Sequence, residues 1–346
     1  MVPSQQFRRG PSSNFVRSFS RASAVALGLV CVAACQQSRQ KPVAQEKTAV
    51  ATAAVSAKPP QRPAEGLTEF RFPEPERLVA IGDLHGDADA ARAALKLAGA
   101  VDDKDAWIGG KLVVVQTGDQ LDRGDGERAI VDLFDALAEQ AARTGGRVLA
   151  LNGNHETMNV QGDFRYVTQQ GLHFGDVAPA SPYAGAAPER YRERAEAFLP
   201  GGAYAKSLSR RPVVAVVGAS AFAHGGILPE HLKYGLDRIN REVMAWMAGD
   251  TTQMPAAIAA EDGLVWTRAY GGPESPEVCQ AVRRVLDDLR VKRIVVGHTV
   301  QKAGVTSICD GAVWRIDVGL SAYYGDAPVA ILEVKAGQAR VLTAPR

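Results

Sequence analysis

Leu78-Val79-Ala80-Ile81-Gly82-Asp83-Leu84-His85-Gly86 runs from four apolar residues straight into an aspartate and a histidine flanked by glycine. The apolar part is short enough for a buried strand, and the glycine-containing string marks its C-terminal end. Two further stretches repeat the arrangement: Leu112 to Val115 lead into GDQLDRG (118–124), and Val148 to Leu151 into GNHE (153–156). Asp87 to Ala98 and Glu127 to Ala142 carry helical patterns between them, so the chain opens β-α-β-α-β. Open α/β sheets gather ligand groups at the carboxyl ends of their strands, and these strings place Asp, His and Asn side chains there.

Later runs, Val213 to Val217 and Ile294 to Val296, also read as strands. HGG (224–226) and GHT (297–299) end apolar runs as well, so four of the six histidines lie in five such strings. Asp310-Gly311 joins Val305 to Cys309 with Ala312 to Asp317, and Ala336-Gly337 joins Val329 to Val334 with Ala339 to Leu342; both resemble hairpin turns. A mixed sheet pair between helical layers fits this order. Residues 157–211 and 228–260 lack sheet signals, are rich in helix formers, and are expected as insertions over the mouth of the site.

The residue types in the strings suit divalent cations. Asp83 and His85 stand two apart, so an extended backbone sends both side chains to one side. Asp119 holds the corresponding place on the next strand and can bridge two cations, while Asn154, His224 and His298 supply an amide oxygen and two imidazoles to the second. Two divalent ions bring +4 and Asp83 with Asp119 return −2, leaving a centre near +2 that favours a phosphate dianion. Paired metals about 3.5–4 Å apart clamp phosphate oxygens and lower the pKa of a bridging water towards roughly 7. The expected reaction is in-line attack of that hydroxide on a phosphomonoester, with no covalent enzyme intermediate.

His155 follows Asn154 directly, so its side chain diverges from the metals and can serve as general acid, with Asp122 holding it protonated. Arg123 offers a bidentate fork to phosphate, and Arg268 in Trp266-Thr267-Arg268 is a second phosphate clamp. His173 and His231 fall outside the strings and read as surface or supporting residues; Asp87 and Asp89 read as helix-capping acids. Gly82, Gly118 and Gly153 allow close approach of backbone, so added bulk should crowd the site.

The chain has 346 residues, 46% of them hydrophobic, and a formal charge of +2. Residues 1–34 carry Arg8, Arg9, Arg17 and Arg21, no acid, and the apolar run Ala22 to Ala34, which reads as a secretory signal. Val32-Ala33-Ala34-Cys35 resembles a bacterial lipobox, with Cys35 as the lipidated residue and the periplasmic side of a membrane as the destination. Removing the signal leaves 36 basic against 38 acidic residues, a net of −2 that gives no electrostatic case for nucleic acid. Residues 35–75, rich in Ala, Gln, Lys, Pro and Thr, read as a flexible tether, and 76–346 as the catalytic domain. Cys279 and Cys309 remain, either as a disulfide or as two buried thiols.

The ordered strings GDLHG, GDQLDRG, GNHE and HGG resemble the phosphoprotein phosphatase family of calcineurin-like metallophosphoesterases. That resemblance implies an α/β four-layered αββα sandwich of two mixed sheets flanked by helices. It also implies a binuclear centre, with Asp83, His85 and Asp119 on one ion and Asp119, Asn154, His224 and His298 on the other, His155 paired with Asp122, and Arg123 on phosphate. The metals expected for this nitrogen and oxygen set are manganese, iron or zinc. GHT and Asp317-Val318-Gly319-Leu320-Ser321 are similar to the Shewanella-like phosphatase branch, which includes tyrosine-directed enzymes. The implied substrate is a phosphoprotein or phosphopeptide, on Tyr or Ser/Thr. The alternatives are a diadenosine tetraphosphate hydrolase, which an exported protein disfavours, and a non-catalytic metal-binding lipoprotein.

Overall fold

Alternate residues of β2 (Arg77–Ile81) face two different cores: Leu78 and Ala80 join one cluster, Val79 and Ile81 another. The same two-residue period splits β5 (Val214–Val217), where Ala215 and Val217 face inward with Leu78 while Val214 and Val216 face away. Strands buried on both faces are apolar throughout, which is why these runs show no polar alternation. Their shared cluster is the filling between two sheets stacked face to face. The protein is described from a computed structural model over residues 69–175 and 177–346.

The first sheet places β2 between β3 (Val113–Gln116) and β10 (Val329–Lys335), in the order β11-β10-β2-β3-β4, with β4 at Arg147–Ala150 and β11 at Gln338–Ala344. β2, β3 and β4 run parallel through the crossover helices α1 (Ala88–Leu97) and α2 (Glu127–Arg143), whose apolar stripes pack on the sheet's outer face. The two halves of the β10–β11 hairpin meet at Lys335 and Gln338, with Ala336 and Gly337 both at positive φ, as a two-residue I′ turn requires. Asp87 caps α1 by accepting from the Ala90 N–H at 2.9 Å, and Asp89 lies in its first turn, as expected.

The second sheet has the order β1-β5-β6-β7-β9-β8, with β1 at Arg71–Phe72, β6 at Ser220–Ala223, β7 at Arg293–Val296, β8 at Thr306–Ile308 and β9 at Val313–Arg315. Its outer face carries residues of α5 (Ala203–Leu208), α7 (Leu236–Ala248) and α9 (Pro276–Leu289). The result is the four-layered αββα sandwich of two mixed sheets flanked by helices. Residues 157–211 add α4 (Arg192–Phe198) besides α5 and complete α3 (Asn154–Gln161), and 228–260 add α6 (Pro229–Tyr234) and α8 (Ala256–Ala259) besides α7, with no strand among the described residues of either region.

One boundary needs correction. The chain joins the sheet before Glu76: β1 (Arg71–Phe72) pairs in parallel with Val216 and Val217, so the end of the stretch read as tether belongs to the fold. Two residues carry no periodicity, which is why composition hid them. Cys279 and Cys309 form a disulfide that ties the start of α9 to the β8–β9 turn, settling the alternative left by the sequence. The signal at 1–34, Cys35 and the tether up to residue 68 lie outside the described residues. Among the described residues no helix is long and apolar enough to cross a membrane.

Candidate metal centre

The ends of β2, β3, β4, β6 and β7 point the same way and deliver Asp83, His85, Asp119, Asn154, His224 and His298 into one buried cluster. Asp119 is its hub: Oδ2 lies 3.7 Å from His85 Nε2, 3.8 Å from His155 Nε2 and 3.2 Å from His224 Nε2. Its other oxygen accepts the His155 backbone N–H at 2.9 Å. Asp83 Oδ2 stands 3.9 Å from His85 Nε2, and Asp83 Oδ1 4.0 Å from His224 Nδ1.

The tautomers follow from the backbone. His224 Nδ1 faces the Thr117 carbonyl at 2.9 Å, His85 Nδ1 the Leu121 carbonyl at 3.1 Å, and His298 Nε2 the Trp266 carbonyl at 2.9 Å. A carbonyl only accepts, so each of those nitrogens carries the hydrogen and the other ring nitrogen presents a lone pair inward. His224 Nε2 then meets Asn154 Oδ1 at 2.9 Å and His298 Nδ1 at 3.1 Å, with Asp119 Oδ2 close by. Acceptors converging without a proton between them call for a cation, and the nitrogen and oxygen set fits a divalent metal.

Charge gives the same answer. Burial pushes the Asp83 carboxyl well above its usual range, and the Asp317 and Asp119 carboxylates add to it. Burial also pushes His85 and His298 down to about 3, so both imidazoles are neutral, the form that ligates metal.

His155 pairs through Nδ1 with Asp122 Oδ2 at 2.5 Å, and its Nε2 looks towards Asp119. Burial lowers its pKa, but Asp119 and Asp122 more than reverse this and leave it raised. Arg123 donates to His85 Nε2 at 2.7 Å and touches the Tyr324 hydroxyl, so it reaches the centre's open side. Arg268 is exposed beside the cluster, with Nη1 donating to the His298 carbonyl at 2.9 Å and to Thr299 Oγ1 at 3.0 Å. His173 is on the surface near Glu193, while His231 is buried and spent on α6, accepting from the Leu228 N–H and donating to the Asp262 carbonyl.

Three contributors escape the sequence reading. Glu156 is fully buried and accepts from the backbone N–H groups of Gly153, Asp119 and Gln120 at 2.6, 2.8 and 2.8 Å, stapling two strings together. Burial pushes the Asp317 carboxyl up to about 6 beside Asp83. Tyr324 lies over His85, with ring centroids 5.7 Å apart. Glu156 and Asp317 stand inside quoted strings, but spacing alone assigned them no partner. Gly118 has φ +97° and a Cβ there would sit 2.5 Å from the Gly153 nitrogen, which confirms the need for glycine.

Buried carboxylates and imidazoles at the strand ends of an αββα sandwich define a metallophosphoesterase. The Calcineurin-like phosphoesterase family model matches residues 76–302, and the chain belongs to that family, whose members are phosphoester hydrolases that use divalent metals. It is 40% identical over 303 residues to Shewanella-like protein phosphatase 2 of Arabidopsis thaliana, covering 78% of each chain. Shewanella-like protein phosphatase 1 of Plasmodium berghei is 28% identical, over 71% of this chain and 68% of that one. Among solved structures, the cold-active protein-tyrosine phosphatase of a psychrophilic Shewanella species superposes with a TM-score of 0.64 at 24% identity, covering 80% and 83% of the two chains.

Proposed function

We propose that this chain is a binuclear metal-dependent protein phosphatase that prefers phosphotyrosine. The observation that carries the preference is the setting of Arg123: its guanidinium lies 5.3, 5.5 and 5.4 Å from the ring centroids of Tyr166, Tyr323 and Tyr324. Tyr166 and Tyr324 also sit against His155 and His85, at 5.2 and 5.7 Å, so aromatic walls stand at the mouth of a buried cluster. A substrate phenyl ring fills such a mouth with edge and face contacts, whereas a short seryl side chain leaves the walls unused. A cavity of about 600 Å³, bordered by Met158, Arg165, Tyr166 and Trp266, offers room beside it for the flanking polypeptide.

In this reading Asp83, His85 and Asp119 would hold one ion, and Asp119, Asn154, His224 and His298 the other. Divalent ions held there supply Lewis acidity towards the phosphoryl oxygens. Arg123 grips those oxygens from the open side, and Arg268 has donors left to join it. Asp122 fixes the proton on His155 Nδ1, so that Nε2 delivers its own proton to the departing oxygen while water attacks in line. The resemblance to a named protein phosphatase over most of the chain supports a phosphoprotein substrate.

One peptide sequence carrying phosphotyrosine, phosphoserine or phosphothreonine tests the preference with manganese present. The expected kcat/KM is at least about tenfold higher for phosphotyrosine, the yield of one or two aromatic contacts. Equal rates on all three would refute the preference, and no turnover on any would refute the enzyme.

We also propose that the protein is exported and lipid-anchored at Cys35, on the strength of the basic start, the apolar run and the lipobox-like string. Cys35→Ser should move it from the membrane to the soluble fraction. An unmoved variant would remove the anchor.

A further inference from the structure

Beneath His155 lies a row of buried polar groups that ends on a helix of the 157–211 insertion. Arg194 of α4 is fully buried, with Phe198 and Phe174 rings 4.1 and 4.8 Å from its guanidinium. Nε and Nη2 donate to Asn159 Oδ1 at 2.9 and 2.8 Å, and Nη1 donates to the Gly171 carbonyl at 2.9 Å. Glu127 pairs with Nη1 at 2.5 Å, and Asp122 Oδ1 lies 3.8 Å from Nη2. Arginine has donors only, so Asn159 must turn its oxygen to Arg194. Its amide nitrogen then donates to Asp122 Oδ1 at 3.1 Å and to the His155 carbonyl at 2.9 Å. The other Asp122 oxygen is the one on His155 Nδ1.

We propose that Arg194 is a positioning residue for the phosphatase reaction: through Asn159 it fixes the Asp122 carboxylate, and so the aim of His155 Nε2 at the leaving group. The inference rests on the reading of His155 as general acid. A buried ion pair adds little stability over apolar residues of the same size, so an Arg194–Glu127 pair kept only for folding has weak physical justification. The bidentate grip on one amide oxygen, by contrast, selects a single orientation of Asn159, because a flipped amide would set N–H groups against N–H groups. The insertion thus reaches under the catalytic residues as well as bordering their mouth.

The test compares Arg194→Lys, Asn159→Asp and His155→Asn on phenyl phosphate and 4-nitrophenyl phosphate, with melting curves and metal content alongside. Phenol is the more basic leaving group and needs the proton; nitrophenolate departs without it. Lysine keeps the charge but loses the fork. Asn159→Asp keeps a partner for Arg194 but cannot donate to Asp122. Both variants should lose kcat on phenyl phosphate about 10–100-fold more than on 4-nitrophenyl phosphate, with KM and metal content little changed. His155→Asn should show the same selective loss, larger. Equal losses on the two substrates, no loss, or failure of both variants to fold, with His155→Asn still selective, overturns the role of Arg194 alone. A His155→Asn enzyme with no leaving-group preference removes the general acid and this inference with it.

Discussion

Asp119 turns at the end of its strand with φ +57°, and His85, Asp122, Arg123 and His298 share the left-handed region at 44–69°. Such backbone costs on the order of 1–3 kcal/mol per residue and survives only where the surroundings over-determine it. Here the determinants are visible: Glu156 accepts from Asp119 and Gln120, and the Asp119 carbonyl accepts from the Leu84 and His85 N–H groups at 2.9 Å each. The candidate ligands were legible because their strings carry unusual residue types at strand ends. Tyr324 was not, since an aromatic residue in a single 3-10 turn, Ala322–Tyr324, has no spacing to betray it. Tyr324→Ala should lower kcat/KM about tenfold on a phosphotyrosyl peptide and barely on a phosphoseryl one, as loss of a ring contact predicts. Steady-state rates on the pair check this, and an equal fall on both would deny the ring a part in selection.

At the scale of elements, the strands and crossover helices that present the site were readable from short apolar runs and period. α9 stands outside the expected helices although its start is marked as clearly as that of α1: Ser275 accepts from the Val278 N–H and Pro276 opens its first turn. The apolar run before His224 is β6, whose four residues are too few for a period to mark it as a strand. The start of α2 supplies a stability prediction. Burial pushes the Glu127 carboxyl from 4.5 up to about 7, against the pull of Arg194. Below the unfolded value both states hold the proton; from there to about 7 the unfolded chain releases it first, so stability falls as pH rises and then levels off. Glu127→Gln should match the parent near pH 4.5 and exceed it by on the order of 3 kcal/mol near pH 8. Urea unfolding at both pH values measures this; a difference independent of pH would contradict it.

Over the whole molecule, the two sheets share one apolar filling while their strand ends meet at the cluster, so candidate ligands 215 residues apart in sequence, Asp83 and His298, come into hydrogen-bond contact. The layer order was legible from the β-α-β-α-β start and the later hairpins. The join between the insertion at α4 and the His155–Asp122 pair was not, because it depends on Arg194, whose burial no spacing in the sequence reveals. The Cys279–Cys309 bridge holds the far end of the second sheet to α9, a link that spacing could suggest but not establish. The proposed centre requires Asp119 to gather divalent cations. Metal content by atomic emission, on the parent and on Asp119→Asn, measures this directly. The parent should hold about two equivalents per chain, as a paired-metal hydrolase does, and the variant clearly fewer; a parent without bound metal, or a variant that keeps the full complement, would contradict it.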